Sequence, residues 1–386
     1  MSRLRAGLIS PWWGRVKRGE KRAVLATGAA VAIAILLAVV AIVYSGQRPN
    51  APVPRMVGGS TPVDTKLYRD PELQAIAAAR EDPRFAPIAE TPQAKWFSDW
   101  STTESVRHDI RDYLWGATLA RAIPTIVLYR IPHLDCGGRK PGEQVYTGAR
   151  DEQAYKDWVN GAAAALTGHN EAIVILEPDA LPQLGDCEQG DRVGMLRHAV
   201  DVLSTTGARV YIDAGHEEWL SAEEAANRLK SVGVDKVAGF SLNVSNFNTT
   251  EGEVRYAESV RSHLNAIGVT DAHYVIDIGR NGAGPQEDTC NPPGARLGAK
   301  PQLFYGAALD GLLWVKTPGE TDGPICRGGP DVGFWSTAAL GLLGLDGTKP
   351  TVTRSAIGWI VLSITAVAAV AAVLGFAVGK KRRDRR

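Results

Sequence analysis

The chain has 386 residues, 45% of them hydrophobic, with 43 basic and 42 acidic side chains for a formal charge of +1. That hydrophobic content excludes a disordered chain, and the length allows one large domain with extras or two ordinary domains. The charge is unevenly spread: residues 1–22 carry +6 and residues 380–386 carry +5, leaving −10 between them. A nucleic-acid binder is not expected, because no basic face is left to follow a phosphate backbone.

In chain order, residues 1–22 form a basic tail ahead of Ala23–Tyr44, which is 22 residues without a charge. A bilayer core needs roughly 20, and the run has no polar face of the kind a globular helix shows. Its apolar stretch is longer than that of a signal peptide, and the following SGQRPNAPVP has no clear cleavage site. An uncleaved anchor is therefore expected at 23–44, then a Pro/Gly/Ser-rich linker at 45–64 and a main domain at 65–350. A second uncharged run follows at 357–378, then the basic tail 379–386. The positive-inside rule places both tails in the cytoplasm, so a two-pass cell-membrane protein with residues 45–356 outside is expected. Anionic headgroups of the inner leaflet would hold the tails.

Between the apolar runs, 71–83 and 104–120 read as helices, with a short strand at Lys95–Phe97 between them. Strand-like runs then recur at Thr125–Tyr129, Ala172–Glu177, Ala208–Asp213, Val237–Leu242, His273–Asp277 and Gly311–Lys316. Helix-period segments follow at 151–166, 190–205, 222–232, 253–267, 301–310 and 335–344. Strands alternating with helices imply a parallel sheet. Seven strands in this length suit a β/α (TIM-like) barrel. A doubly wound open sheet is the alternative, but the first turn, Tyr129-Arg130-Ile131-Pro132, is not a glycine-rich phosphate loop.

The polar residues fall at strand ends, where such barrels keep their chemistry. Asp135 follows the second strand; Glu177 and Asp179 close the third; Asp213 and His216 the fourth; Asn243 and Asn246 the fifth. Asp277, Arg280 and Asn281 close the sixth, and Lys316, Glu320 and Asp322 the seventh. One such aspartate could simply cap the next helix; five successive strand ends supplying carboxylates point to a site. Converging carboxylates suit a divalent metal or acid–base cleavage of a glycosidic bond, where one carboxyl stays protonated and another ionised. The seven histidines are scattered, and His216-Glu217 does not extend to H-E-x-x-H, which disfavours metal. Gly239-Phe240-Ser241-Leu242-Asn243 lacks the second glycine of a nucleophile elbow. Trp96 and Trp219, near strand ends, favour sugar, whose apolar faces stack on aromatic rings; Trp314 lies within a strand and reads as core.

The blocks Tyr129…Pro132…Asp135-Cys136, Val174–Asp179, Tyr211–His216…Trp219, Asn243–Asn246, Asp277…Arg280–Gly282 and Lys316…Gly323 occur in an order that resembles glycoside hydrolase family 6, over roughly residues 66–345. The resemblance implies an inverting β-1,4-glucanase or cellobiohydrolase on a distorted seven-stranded β/α barrel, needing no metal or organic cofactor. It implies Asp179 as general acid, with Asp135 beside it raising its pKa and steering the water. Asp322 stands at the position of the base, Asp213 supports the electrostatics and Tyr129 presses on the sugar. Trp96, His216, Trp219, Asn246, Lys316 and Glu320 would line the glucan subsites. Four cysteines in an exported domain suggest two disulfides with three possible pairings; the resemblance selects Cys136–Cys187 and Cys290–Cys326. Three positions depart from the family pattern. Leu134 stands where an arginine is usual, Thr289 where a tryptophan is common, and the loop after Cys136 lacks a serine; altered substrate or low activity is the expectation. Short loops after Cys136 and between Cys290 and Cys326 suggest an open, endo-acting cleft. A glycan-binding protein without activity, or a subunit of a membrane export assembly, are the alternatives.

Overall fold

The computed structural model describes residues 61–137, 148–288, 290–323 and 328–345. Both uncharged runs and both basic tails lie outside the described residues. Among the described residues no helix is long and apolar enough to cross a membrane.

The described residues build one nine-stranded sheet. Its strands are β1 (Thr61–Val63), β2 (Lys95–Phe97), β3 (Thr125–Leu128), β4 (Ile173–Leu176), β5 (Arg209–Asp213), β6 (Gly239–Leu242), β7 (His273–Asp277), β8 (Gln302–Tyr305) and β9 (Leu309–Leu313). The order is β1-β8-β9-β7-β6-β5-β4-β3-β2. All seven predicted strands are present, and every pair from β2 through β7 to β9 is parallel. The helices are α1 (Gln74–Glu81), α2 (Ala86–Ala89), α3 (Val106–Ala120), α4 (Glu152–Leu166), α5 (Arg192–Leu203), α6 (Ala222–Val232), α7 (Thr250–Ala266) and α8 (Ser336–Leu342).

Two expectations are corrected. Residues 301–310 do not form a helix: β8 pairs antiparallel with β9, and β1 pairs antiparallel with β8. Gly306 turns the chain between the two strands with φ +89°, a conformation that favours glycine. The sheet therefore has nine strands, not seven, and it is a barrel left partly open. Among the described residues no ladder joins the edge strands β1 and β2; across the opening, Ala94 N–H just before β2 donates to the Trp314 carbonyl just after β9 (2.9 Å).

Side chains alternate across the sheet with the period of two that strands impose. Ile126, Leu128, Val174, Leu176, Val210 and Ile212 face outward into one large apolar cluster with the helices. Val127, Ile175, Tyr211, Val275 and Leu313 face inward and join an inner cluster with Ala94 and Leu67. Contact between residues from opposite ends of the sheet is what its curvature produces. Along β5 and β7 the same alternation carries the final residues, Asp213 and Asp277, to the inner side at the C-terminal ends, where both are buried. Trp314 is core, as expected, and its indole donates to the Ala299 carbonyl.

Candidate active site

Helix capping does not account for the strand-end aspartates. The side chains that cap α4, α5, α6 and α7 are Asp151, Asp191, Ser221 and Thr249, each accepting from a backbone N–H of the first turn. The strand-end carboxylates have other partners.

Asp213 is fully buried. Its Oδ1 accepts from the backbone N–H of Asp179 (3.0 Å) and of Gly215 (3.2 Å), and its Oδ2 from the Ser241 hydroxyl (3.1 Å). The ends of β4, β5 and β6 are thus locked to one carboxylate. Burial pushes that carboxyl up to about 7, and the nearby Asp277 adds to the shift. Asp179 itself sits at φ +67° and Glu177 at φ +46°; Asn243 and Ser245 after β6 are also left-handed. Non-glycine residues cost energy in that region and persist only where surrounding structure holds them, which is common at functional sites.

Asp277 takes four backbone N–H groups: Gly279 (2.9 Å) and Val315 (3.1 Å) on Oδ1, Lys316 (2.9 Å) and Ser245 (3.0 Å) on Oδ2. Glu177 accepts from the N–H groups of Arg130 and Ile131. Burial pushes both carboxyls up, Glu177 to about 7. These two acids face protein on every oxygen and tie loops together.

Asp322 differs. Arg280 grips it through both oxygens (2.8 and 2.7 Å), Asn291 N–H adds a third bond (2.9 Å), and Lys316 Nζ lies 3.5 Å away. Burial pushes its carboxyl up, but Arg280 and Lys316 outweigh burial and hold it below the usual carboxylate value. Arg280 also donates to the Ser245 carbonyl and stacks 4.6 Å over the Phe247 ring. Lys316 Nζ reaches over the Trp96 ring (5.9 Å), and Trp96 packs edge-on to Tyr129 (5.3 Å). These contacts join Tyr129, Trp96, Lys316 and Asp322 along one rim. The Trp96 indole N–H is spent on the Val315 carbonyl (2.8 Å), so only its ring face is left for a sugar. Burial keeps the Glu320 carboxyl raised, and Glu320 pairs by an antiparallel bridge with Phe334.

On the opposite rim His216 and Trp219 lie with ring centroids 5.5 Å apart. Gly215, at φ +76°, makes that turn possible: a Cβ there would meet Pro182 and the Trp219 ring at 3.0–3.3 Å. The Asn246 amide turns back onto the Val244 carbonyl. Asp135 lies in the short turn Leu134–Gly137 after β3; its side chain is outside the described residues. A disulfide joins Cys136 in that turn to Cys187 in the loop after β4, pinning two loops beside Asp179. Cys290 is disulfide-bonded too; its expected partner, Cys326, is outside the described residues.

Residues 65–336 match the family described as glycosyl hydrolases family 6. The chain belongs to glycoside hydrolase family 6. It is 42% identical over 276 residues to endoglucanase A of Cellulomonas fimi, covering 70% of this chain and 58% of that protein. It is 36% identical over 324 residues to endoglucanase A of Thermobispora bispora, covering 80% of this chain and 66% of the relative. The chain thus spans less than two thirds of the length of either. The solved structure of the endoglucanase Cel6 from Mycobacterium tuberculosis, in complex with methyl-cellobiosyl-4-deoxy-4-thio-β-D-cellobioside, superposes with a TM-score of 0.65 at 40% identity. That match covers 72% of this chain and 97% of the other.

In this family 6 member, Leu134 is buried in the outer apolar cluster, where it serves packing and supplies no charge. Thr289 is outside the described residues, as is the 138–147 loop. Ser241 on β6, which holds Asp213, and Asn248 with Glu253, which hold His216, are site residues that the sequence reading does not single out; Arg280 is placed by it at a strand end, but not its grip on Asp322. Ser241 carried a readable signal: it stands one strand step from Leu242, on the same inward face as Asp213.

Proposed function

We propose that this chain hydrolyses β-1,4-glucan, cutting within chains and with inversion, at the C-terminal end of its barrel. The observation that carries this is the pairing of Asp179 with Asp213: the loop bearing the acid candidate is bolted by its own N–H to a buried carboxyl. The names of the relatives at 36–42% identity, both endoglucanases, support the substrate and the endo mode. Asp179 protonates the leaving glycosidic oxygen, so it must begin protonated. A second carboxylate, or water relayed to one, takes the proton of the attacking water. Inverting enzymes hold the two carboxyls roughly 6.5–9.5 Å apart to admit that water.

Asp322 stands at the position of the base. Its low pKa makes it a weak proton acceptor, because a base works best with a pKa near the working pH. Its negative charge near the sugar, fixed by Arg280 and Lys316, stabilises the positive charge that develops on the ring at the transition state. Trp96, Tyr129, His216 and Trp219 supply aromatic surface on the two rims, and Lys316, Glu320 and Asn246 supply polar contacts along the glucan. The family pattern assigns Asp135, in the turn after β3, to tuning the acid.

The domain works outside the cell, held at both ends by the spans 23–44 and 357–378, with both basic tails cytoplasmic. The uncharged runs and their basic flanks in the sequence support this arrangement. Fluorescent tagging of the termini combined with protease protection of intact cells tests it: digestion of either tag from outside would reverse the topology. For the activity, the full chain is incubated with a soluble β-1,4-glucan while viscosity and reducing ends are followed together. An endo enzyme drops viscosity early, before many ends appear; no new ends at any enzyme concentration would end the reading.

A further inference from the structure

A network outside the carboxylates stands behind His216. His216 Nδ1 receives the backbone N–H of Glu218 (3.3 Å) and lies 3.1 Å from Asn248 Nδ2. A backbone N–H can only donate, so Nδ1 is the acceptor and the single ring proton of neutral His216 is on Nε2. Burial lowers the imidazole pKa, which keeps the ring neutral. The Asn248 amide nitrogen has a second hydrogen, and Glu253 Oε1 takes it at 3.0 Å. The same Oε1 accepts the Glu217 N–H at 3.1 Å.

The Asn248 backbone is itself anchored. Its N–H donates to Asn243 Oδ1, and its carbonyl accepts from the side-chain amides of Asn243 and Asn281. Glu253, in the first turn of α7, is buried with 0% exposure. One turn on, Tyr256 hydroxyl donates to the Leu220 carbonyl (2.9 Å), so α7 fastens the 216–220 loop at both ends. Within that loop Trp219 N–H closes a turn onto the His216 carbonyl. His216 Nδ1, both hydrogens of the Asn248 amide and Glu253 Oε1 are therefore assigned at the back of the ring, whereas the buried Glu253 Oε2 has no hydrogen-bond partner among the described residues. His216 Nε2 also has no hydrogen-bond partner among the described residues.

We propose that Asn248 and Glu253 are positioning residues that fix the tautomer and tilt of His216, so that Nε2–H donates to a glucan hydroxyl while Trp219 stacks beside it. The Glu253–Asn248–His216 chain sets the polarity of that contact: the site offers a donor and rejects a sugar that would need an acceptor there. This rests on the reading of the cleft as a glucan site, and the test separates the two.

The full chain is labelled with [15N]histidine; with only seven histidines, the long-range 1H–15N spectrum is resolvable, and His216→Gln identifies the signal. The expected spectrum shows His216 with unprotonated Nδ1 and protonated Nε2. Asn248→Asp, whose carboxylate needs a proton to share, should move the ring proton to Nδ1. It should raise KM for cello-oligosaccharides about tenfold with kcat within about twofold, the size of one lost neutral hydrogen bond. Glu253→Ala should raise KM in the same direction, and Glu253→Gln, which keeps an acceptor oxygen, should bring it back towards wild type. A wild-type ring protonated on Nδ1, or an unchanged tautomer and KM in Asn248→Asp, overturns the proposal whether or not any variant folds poorly. A wild-type chain with the expected tautomer but no turnover of any β-1,4-glucan would leave the clamp standing and remove the glucan reading.

Discussion

The two ends of the barrel both bury carboxylates, and they treat them in opposite ways. At the N-terminal end Asp310 receives the Tyr211 hydroxyl (2.6 Å), the Arg209 guanidinium (2.8 Å) and His273 Nδ1 (3.0 Å). Burial pushes its carboxyl up, but His273, Tyr211 and Arg209 more than offset that and hold it low. The bond to Asp310 in turn raises His273. At the C-terminal end Asp213 and Glu177 are held by N–H and hydroxyl donors, and burial pushes each to about 7, with Glu253 at about 8. A buried acid with cations is a permanent ion and serves structure. A buried acid with neutral donors is poised near neutrality and can take part in proton traffic. Asp322, with Arg280, belongs electrostatically to the first kind although it stands among the second.

The comparison breaks most sharply at Asp179. Asp179→Asn should cost about 10²–10⁴-fold in kcat while glucan binding, measured by isothermal calorimetry, survives. Wild-type turnover in that variant would mean the acid is elsewhere. Next in size is Asp322→Asn, which leaves the Arg280 charge buried with half its partner gone. Side-chain exposures of 5% and 13% place this among buried pairs, where losing one partner costs about 3–5 kcal/mol. Urea denaturation should show that loss, and activity should fall with it. At the other end of the barrel, Tyr211→Phe removes one bond to a charged acceptor and should cost about 1.5–3 kcal/mol of stability with kcat unchanged. A fall in kcat there would blur the division between the ends.

The smallest expected effect is a slope. Asp213 starts from 3.8 and Glu177 and Glu253 from 4.5 when unfolded. Between those values and about 7–8 the native chain holds protons that the unfolded chain has released, so stability falls as pH rises through this window. The Asp310 cluster adds a plateau. Its Asp310 contribution is complete above 3.8 and lost as pH falls through the lower folded value. Its His273 contribution is complete below 6.5 and lost as pH rises through the raised one. Melting temperature should therefore peak near pH 5 and drop by a few degrees towards pH 8, and Glu253→Gln should flatten the drop. A melting temperature that climbs from pH 5 to 8 would contradict the raised acids.

Much of this is legible in the amino-acid sequence. Strand alternation predicts which way Asp213 and Asp277 point, since Tyr211 and Val275 two residues earlier must face the same way. The seven parallel strands followed from apolar runs bounded by loops. The β8 segment did not, because Gln302–Tyr305 is a short apolar run that periodicity cannot tell from a helix; its pairing with β1 and β9 decides it. The grip of Arg280 on Asp322, 42 residues away, has no local signature. Glu253 had one: it keeps helical spacing with Tyr256, Ala257, Val260 and Leu264, all buried, so an acid on that stripe signals a buried partner. The two uncharged runs lie outside the described residues, and their assignment to a membrane rests on the sequence alone.

The central claim is inverting cleavage of β-1,4-glucan at the C-terminal end of the barrel. Proton NMR of the anomeric region, recorded in the first minutes of cellohexaose hydrolysis by the full chain, tests it most directly. The account predicts that α-anomer appears first and then mutarotates, with the signal abolished in Asp179→Asn. β-Anomer appearing first, or cleavage that survives Asp179→Asn, would contradict it.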